Sequence, residues 1–436
     1  MAWDPGLGKS FLSLLYGIQH PEARPIIVVC PAGLKLHWSN QASIHVNMYA
    51  NILDGIKPDK QLGIGVNHPL IILNYDILHA WVEHLKNLNP QLVILDEAHM
   101  ISSPKSRRSK VVRFLCKDVP HVLALTGTPL CNRPYDLWHI LHILQPRQFP
   151  SLFSYAQRFC APRRAPWGWE FKGASNLDEL NQLLFDENTG VVIRLKKEDV
   201  LQQLPAKQRN IVPVEISDRK EYHKAVTDFL NWIKLVNPTK APGARLAEKV
   251  TKLGELKRLA ANLKLAAVFD WIDSFLAESN EKLILFGWHH QILESLMDRY
   301  EKQAVLVHGS VHKKKRKLAE DKFLASPSCR LFIGNVQAAG MGWSALGVSN
   351  VAFIELPWRP ADVTQGEDRC HGLNRGQQGI HTAIWFLIAV NTIEEKLLQI
   401  LQNKQRIVTE VLDGGNGETL NVYDLLTEEL LKEEKL

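Results

Sequence analysis

The chain has 436 residues, 45% hydrophobic and 22% charged, and 52 Lys plus Arg against 46 Asp plus Glu give it a net charge of +6. That length predicts two or three domains, each able to bury its own core, and the ordinary apolar and charged fractions exclude a disordered chain. The mild positive excess permits a nucleic-acid partner without demanding one.

In chain order, the first feature is the Gly-rich turn Asp4-Pro5-Gly6-Leu7-Gly8-Lys9-Ser10, followed by a helical pattern over Phe11–Ile18. Glycines let backbone N–H groups approach phosphate oxygens, and a helix N-terminus favours the anion. On this reading Gly6 and Gly8 shape a cradle for ATP, Lys9 reaches the β/γ-phosphates and the Ser10 hydroxyl coordinates Mg²⁺. The full pattern places a glycine five residues before Gly8, where this chain has Trp3, and Gly-Lys-Ser alone is a weak signal. Apolar runs follow at Ile26–Cys30, Leu70–Leu73, Leu92–Leu95 and Val122–Leu125. Without polar alternation they predict strands buried on both faces, as in parallel sheets. Asp96-Glu97-Ala98-His99 follows the third run directly, where open α/β sheets put ligand groups. Asp96 reads as a Mg²⁺ ligand and Glu97 as the group that orients or deprotonates the attacking water; the alternative is two acids capping the next helix. Thr126-Gly127-Thr128-Pro129 ends the fourth run and by itself is a turn.

From about 130 to 282 the periodicity is helical, with no strong strand run before Ile211–Val214. Pro238–Gly243 reads as a loop, and Leu263–Leu276 as an amphipathic helix. A second set of apolar runs lies at Leu283–Phe286, Val305–Val307, Leu331–Ile333, Val351–Ile354 and Ile384–Leu387. The turn Trp358-Arg359-Pro360 leads to Gln365, Asp368 and Arg369; an arginine delivered from a second domain can neutralise charge on a transferring γ-phosphoryl group. Ile393–Val411 predicts another amphipathic helix, stopped by Gly414–Gly415, and the tail after Glu428 reads as poorly ordered. The class is α/β with one sheet in each half. No apolar run approaches a spanning helix, no leader pattern opens the chain, and the cysteines are too dispersed for a disulfide framework or a zinc site. The expectation is an intracellular protein with no membrane contact and no zinc.

In their order and spacing these motifs resemble the SWI/SNF-type branch of the superfamily-two helicase-like ATPases. Asp4–Ser10 is similar to the family's D-E-M-G-L-G-K-T loop, Asp96–His99 is its D-E-A-H box, and Thr126–Pro129 is its T/S-G-T-P motif. Gln365–His371 resembles Q-x-x-D-R-x-H, and Ala338–Gly342 the A-G-G-x-G motif that couples DNA to nucleotide. Within the branch the likeness is closest to the annealing-helicase, HARP-type proteins. It is carried by Arg133-Pro134, Pro166-Trp167-Gly168-Trp169, Ser175–Leu180, Leu204-Pro205-Ala206-Lys207-Gln208-Arg209, and Gly309-Ser310 with Arg316 and Phe323. The resemblance implies two RecA-like lobes with parallel sheets and helical insertions between them: residues 1–205, with a helical protrusion near 134–190, and 206–436, with an insertion near 218–265. It further implies ATP and Mg²⁺ in the cleft and a monomeric motor that translocates on double-stranded DNA or rewinds branched DNA. Gly342 would touch nucleotide, and Lys35, Thr126, Thr128 and Gly340 would touch DNA. Rival readings are a catalytically impaired DNA-binding or regulatory module and a strand-separating DNA or RNA helicase.

Three departures from the family pattern qualify this picture. Only Ala2 and Trp3 separate Met1 from Asp4, so the strand that leads into the family's phosphate loop is not expected here, and weak ATPase activity is the corresponding expectation. Gly372 stands where the second arginine of the last motif belongs, which makes Arg375 the candidate for that role. Ile193-Arg194-Leu195 keeps one arginine of a pair. Among the remaining features, Lys313–Lys317 reads as a solvated helix face, His289-His290 as no metal site, and Trp38, Trp167 and Trp169 as packing residues, with base stacking the alternative for the last two.

Overall fold

The computed structural model describes every residue except 59–68, 128–133, 166–167, 172, 187, 201–206, 236–241, 312, 337–344, 346, 372–381, 414–421 and 434–436. The chain divides into two compact units, Met1–Gln202 with Ile407–Thr419, and Gln203–Arg406 with Leu420–Leu436. Each holds a parallel sheet covered by helices.

In unit 1 the strands are β1 (Ala2–Trp3), β2 (Ile26–Cys30), β3 (Ala50–Ile52), β4 (Leu70–Asn74), β5 (Leu92–Asp96) and β6 (His121–Leu125), then the hairpin β7 (Arg163–Ala165) and β8 (Gly168–Glu170), and β9 (Arg194–Leu195). The main sheet runs β3-β4-β2-β5-β6, parallel throughout. Alternate residues of β2 enter opposite cores: Ile27 and Val29 join Trp81, Val93 and Leu115, whereas Ile26 and Val28 join Leu14, Trp38 and Ile94. Burial on both faces is the reason these strands read as unbroken apolar runs.

The chain start departs from expectation. Ala2–Trp3 does form a strand, pairing in parallel with β9, while the Met1 carbonyl accepts from the Thr126 N–H at 3.1 Å and the Met1 amine donates to the Ala124 carbonyl at 2.7 Å. The phosphate turn therefore leaves a strand held on both sides, which meets its backbone hydrogen-bonding demand.

In unit 2 the strands are β10 (Lys207–Val214), β11 (Leu283–Gly287), β12 (Ala304–Val307), β13 (Leu331–Asn335), β14 (Asn350–Phe353) and β15 (Thr382–Ala389). They run β10-β15-β14-β11-β13-β12, again all parallel. Two sequence expectations are corrected here. Pro242 and Gly243 open the helix Pro242–Leu263 instead of lying in a loop, Pro being well suited to a first turn that needs no N–H donor. The tail forms the helix Val422–Glu433, because Val422, Leu426 and Leu430 at four-residue spacing bury one stripe in the unit 2 core.

Candidate functional site

Unit 1 assembles the phosphate turn and the acidic box at the C-terminal edge of its sheet. Gly6 and Gly8 take φ of +87° and +81°, a left-handed conformation that a side chain would oppose, and Gly8 caps the helix Lys9–Gln19. The Lys9 ammonium donates to the Trp3 and Asp4 carbonyls at 2.8 and 3.2 Å. The turn is tied down from far along the chain: the Asp4 N–H donates to the Leu195 carbonyl, and the Asp4 carboxylate accepts from the Lys197 N–H at 2.9 Å. Arg194 and Leu195, whose role the sequence left open, thus form the strand beside the phosphate turn.

Asp96 ends β5, 7% exposed. Its carboxylate accepts from the Trp38 indole N–H at 2.8 Å and from the Glu97 N–H at 3.0 Å, and its carbonyl accepts from the Tyr75 hydroxyl at 2.8 Å. Burial, reinforced by the Glu97 charge, pushes the Asp96 carboxyl up to about 7, against the opposing pull of the Trp38 hydrogen bond and the Lys9 charge. Lys9 and Asp96 therefore sit close enough to feel each other's charge. Glu97 holds a left-handed backbone with φ of +50°, an uncommon state for a residue with a Cβ. The turn leaves its carboxylate partly exposed and 3.3 Å from His99 Nδ1, which lies 3.3 Å from Thr126 Oγ1. His99 thus bridges the acidic box and the threonine of the next motif.

Two of the residues expected to touch DNA are buried side chains. Lys35 is 4% exposed, and its ammonium donates to the Leu53 carbonyl at 2.9 Å and pairs with Asp54. Thr126 is buried against His99 and links the two motifs. Trp169 reverses the packing expectation: it lies on the β7–β8 hairpin opposite Arg164 and is 48% exposed. Thr128, Gly340, Gly342 and Arg375 lie outside the described residues, as do Trp167 and Leu204–Ala206.

In unit 2, Gln365 rides the helix Pro360–Glu367, half-buried, and Arg369 follows that helix by two residues, also half-buried. The Arg369 carbonyl accepts from the Ala345 N–H at 2.9 Å, and its charge acts on the buried Glu320 carboxyl. His289, the pair dismissed as a metal site, serves Glu355: that buried carboxylate accepts from the Trp288 and His289 N–H groups at 2.7 and 2.9 Å and from the His289 ring. Among the described residues no cluster of His, Cys, Asp and Glu suits a metal ion, and no helix is long and apolar enough to cross a membrane.

The sequence matches the SNF2-related domain over residues 1–259 and the helicase conserved C-terminal domain over residues 264–374. The first match alone spans more than half of the chain. The chain belongs to the SNF2-related family. It is 28% identical over 431 residues to the DNA annealing helicase and endonuclease ZRANB3 of Mus musculus, covering 95% of this chain and 39% of that protein. It is 28% identical over 416 residues to the SWI/SNF-related matrix-associated actin-dependent regulator of chromatin subfamily A-like protein 1 of Xenopus laevis, covering 94% of this chain and 42% of that protein. The chain thus spans about two-fifths of the length of these relatives. Among solved structures it is similar to the Sulfolobus solfataricus SWI2/SNF2 ATPase core in complex with dsDNA, with 21% identity, a TM-score of 0.42, and coverage of 99% of this chain and 91% of that one.

This SNF2-related chain also holds buried polar side chains whose roles no motif announces. Trp38 reads from sequence as buried, and it is, but its indole bond to Asp96 joins residues 58 apart. Lys257 is fully buried in unit 2, its ammonium 4.9 Å from the ring centres of both Trp288 and Trp358 and without a hydrogen-bond acceptor among the described residues. Burial pulls its pKa down to about 8, against the charges of Glu355 and Glu394 and together with that of Lys264. Because the native pKa lies below the unfolded one, the cost is full below about pH 8 and is lost as pH rises toward 10.5, the ordinary value for a lysine. Wild type is expected to gain about 1 kcal/mol of stability between pH 7 and 9 from this group. Lys257→Met is expected to remove that gain and to raise stability at pH 7 by about 1–3 kcal/mol, measured by denaturant unfolding at the two pH values. An unchanged pH profile in the variant would rule out the lysine as its source.

Proposed function

We propose that this chain is an ATPase driven by DNA, moving along double-stranded DNA and acting on branched substrates in the manner of an annealing helicase. The observation that carries the reading is the convergence, at one sheet edge of unit 1, of the glycine turn with Lys9 and Ser10 on a buried carboxylate, Asp96, next to Glu97. Family membership and the similarity to proteins named for DNA annealing support DNA as the partner.

Mg²⁺ fits this donor set. A hydroxyl and a carboxylate are hard oxygen ligands, and a carboxyl that burial and a neighbouring acid push up to about 7 is a group short of positive charge. Ser10 and Asp96 would hold the ion, which when bound with ATP would neutralise phosphate charge. The chain's own residues do the rest. Lys9, released from the Trp3 and Asp4 carbonyls, binds the β/γ-phosphates. Trp38 and the Glu97 N–H orient the two oxygens of Asp96. Glu97 orients the attacking water and takes its proton. Gln365 and Arg369 act on the γ-phosphoryl group from unit 2, with Arg375 the further candidate. Thr128 and Gly340 remain candidate DNA contacts and Gly342 a candidate nucleotide contact, while exposed Trp169 beside Arg164 offers a ring for base stacking.

The experiment is ATP turnover with and without duplex or forked DNA, for wild type and Lys9→Ala. Wild type is expected to show DNA-stimulated turnover and Lys9→Ala to lose it. Turnover absent from wild type, or equal in the two, would leave the impaired DNA-binding module as the reading. Strand displacement without tracking along duplex would instead favour the strand-separating helicase.

A further inference from the structure

The run Leu204–Arg209 carries much of the family likeness, yet nothing in the nucleotide chemistry above uses it. Its described part begins β10, the edge strand of the unit 2 sheet. Lys207 and Arg209 are two residues apart and so share a face of that strand. Both end on the same carboxylate, about 160 residues further along the chain. Arg209 donates through Nε to Glu367 Oε1 and through Nη2 to Oε2, both at 2.7 Å, a two-pronged fork. The Lys207 ammonium donates to Glu367 Oε2 at 3.0 Å and stands 3.0 Å from Asp368 Oδ1.

Glu367 is 1% exposed, and a carboxylate so buried persists only when its oxygens are met by cations or donors. Burial alone would lower the Lys207 pKa, but the charges of Asp368 and Glu367 outweigh it and hold the ammonium above its ordinary value. The clamped residues occupy a telling place. Glu367 closes the helix Pro360–Glu367, Asp368 caps it, and Arg369 comes next. The preceding Gly366 is pressed onto the sheet: a Cβ there would stand 2.8 Å from the Phe353 ring. A guanidinium fork on a carboxylate fixes orientation as well as distance, which a single point charge does not.

We propose that Lys207 and Arg209 are positioning residues that lock Glu367 and Asp368 in place and thereby set where the Arg369 guanidinium is delivered. The inference rests on the ATPase reading and adds to it the device that aims the arginine. Catalysis is sensitive to such aim, since a misplacement of about 1 Å costs up to roughly 100-fold. A purely structural role for the same pairs would lower stability and leave the turnover of folded molecules alone.

The test compares wild type, Lys207→Met, Arg209→Lys and Arg209→Met in DNA-stimulated ATP turnover, binding of a fluorescent ATP analogue and thermal unfolding. The expected result is a graded fall in kcat, about threefold for Arg209→Lys and about tenfold or more for Arg209→Met. KM for ATP and analogue affinity stay at wild-type values, because Lys9 belongs to the other unit. Should Arg209→Met fail to fold, Arg209→Lys keeps the charge, loses the fork and decides the question alone. Variants that unfold at lower temperature but keep wild-type kcat would overturn the clamp. The same holds if kcat falls only in step with the folded fraction. Wild type without turnover would remove the ATPase reading and this inference together, whereas active wild type with equally active variants removes the clamp alone.

Discussion

Glu97→Gln is expected to lower DNA-stimulated kcat by about 10²–10⁴-fold while leaving ATP and DNA binding in place. The substitution keeps the size and polarity of the side chain but removes the base, and it leaves Lys9, Ser10 and Asp96 untouched. Two local features make the effect specific. The left-handed backbone at Glu97 turns its carboxylate out of the line of β5, leaving it partly exposed, whereas Asp96 one residue earlier stays buried under Trp38. Removing the Glu97 charge also relieves the second-largest influence raising the Asp96 carboxyl, so Asp96 ionises more readily in the variant. Metal and nucleotide binding should therefore hold or improve while turnover collapses. Equal losses in binding and turnover would mean that Glu97 belongs to the binding set and not to the chemistry.

Arg369→Ala carries the second large effect, about 10³–10⁵-fold in kcat if the guanidinium meets the γ-phosphoryl group in the transition state. KM for ATP should change far less, because the side chain contributes when charge develops and not when nucleotide binds. Arg369→Lys should recover little, since a point charge lacks the planar fork. The Arg369 charge also reaches Glu320, where Lys317 and Arg316 act more strongly. Loss of Arg369 thus leaves Glu320 with Lys317 and Arg316, the stronger of its cationic neighbours, and a small change in stability is the corresponding expectation. Single-turnover kinetics at saturating ATP and DNA separate the chemical step from binding. A variant within about threefold of wild type would take Arg369 out of the catalytic set.

What could be read in the sequence follows from how the elements are buried. Nine of the sheet strands announced themselves as apolar runs because helices cover both faces of each parallel sheet. The strands that escaped have other supports. β1 and β9 are two residues long and are defined by backbone pairing, which leaves no side-chain period to detect. β3 lies at the sheet edge, and Asn51 interrupts its short run. The motif residues were readable because phosphate and metal chemistry restricts them to few types at fixed spacing. Their supports were not. Lys35 carries a charge that suits DNA, and only the fold reveals Asp54 and the Leu53 carbonyl as its partners. The same blindness hid the Trp38 bond to Asp96 and the fork from Arg209 to Glu367, since pairs that far apart leave no local pattern.

We propose that Lys9, Glu97 and Arg369 act on one nucleotide. The most direct measurement is a structure of the chain bound to ADP, a fluoroaluminate group in the γ-phosphoryl position, Mg²⁺ and duplex DNA. The account predicts the Lys9 ammonium and the Arg369 guanidinium both within about 3 Å of that group, with Glu97 on the attacking water. An occupied phosphate turn with no arginine on the fluoroaluminate would contradict it.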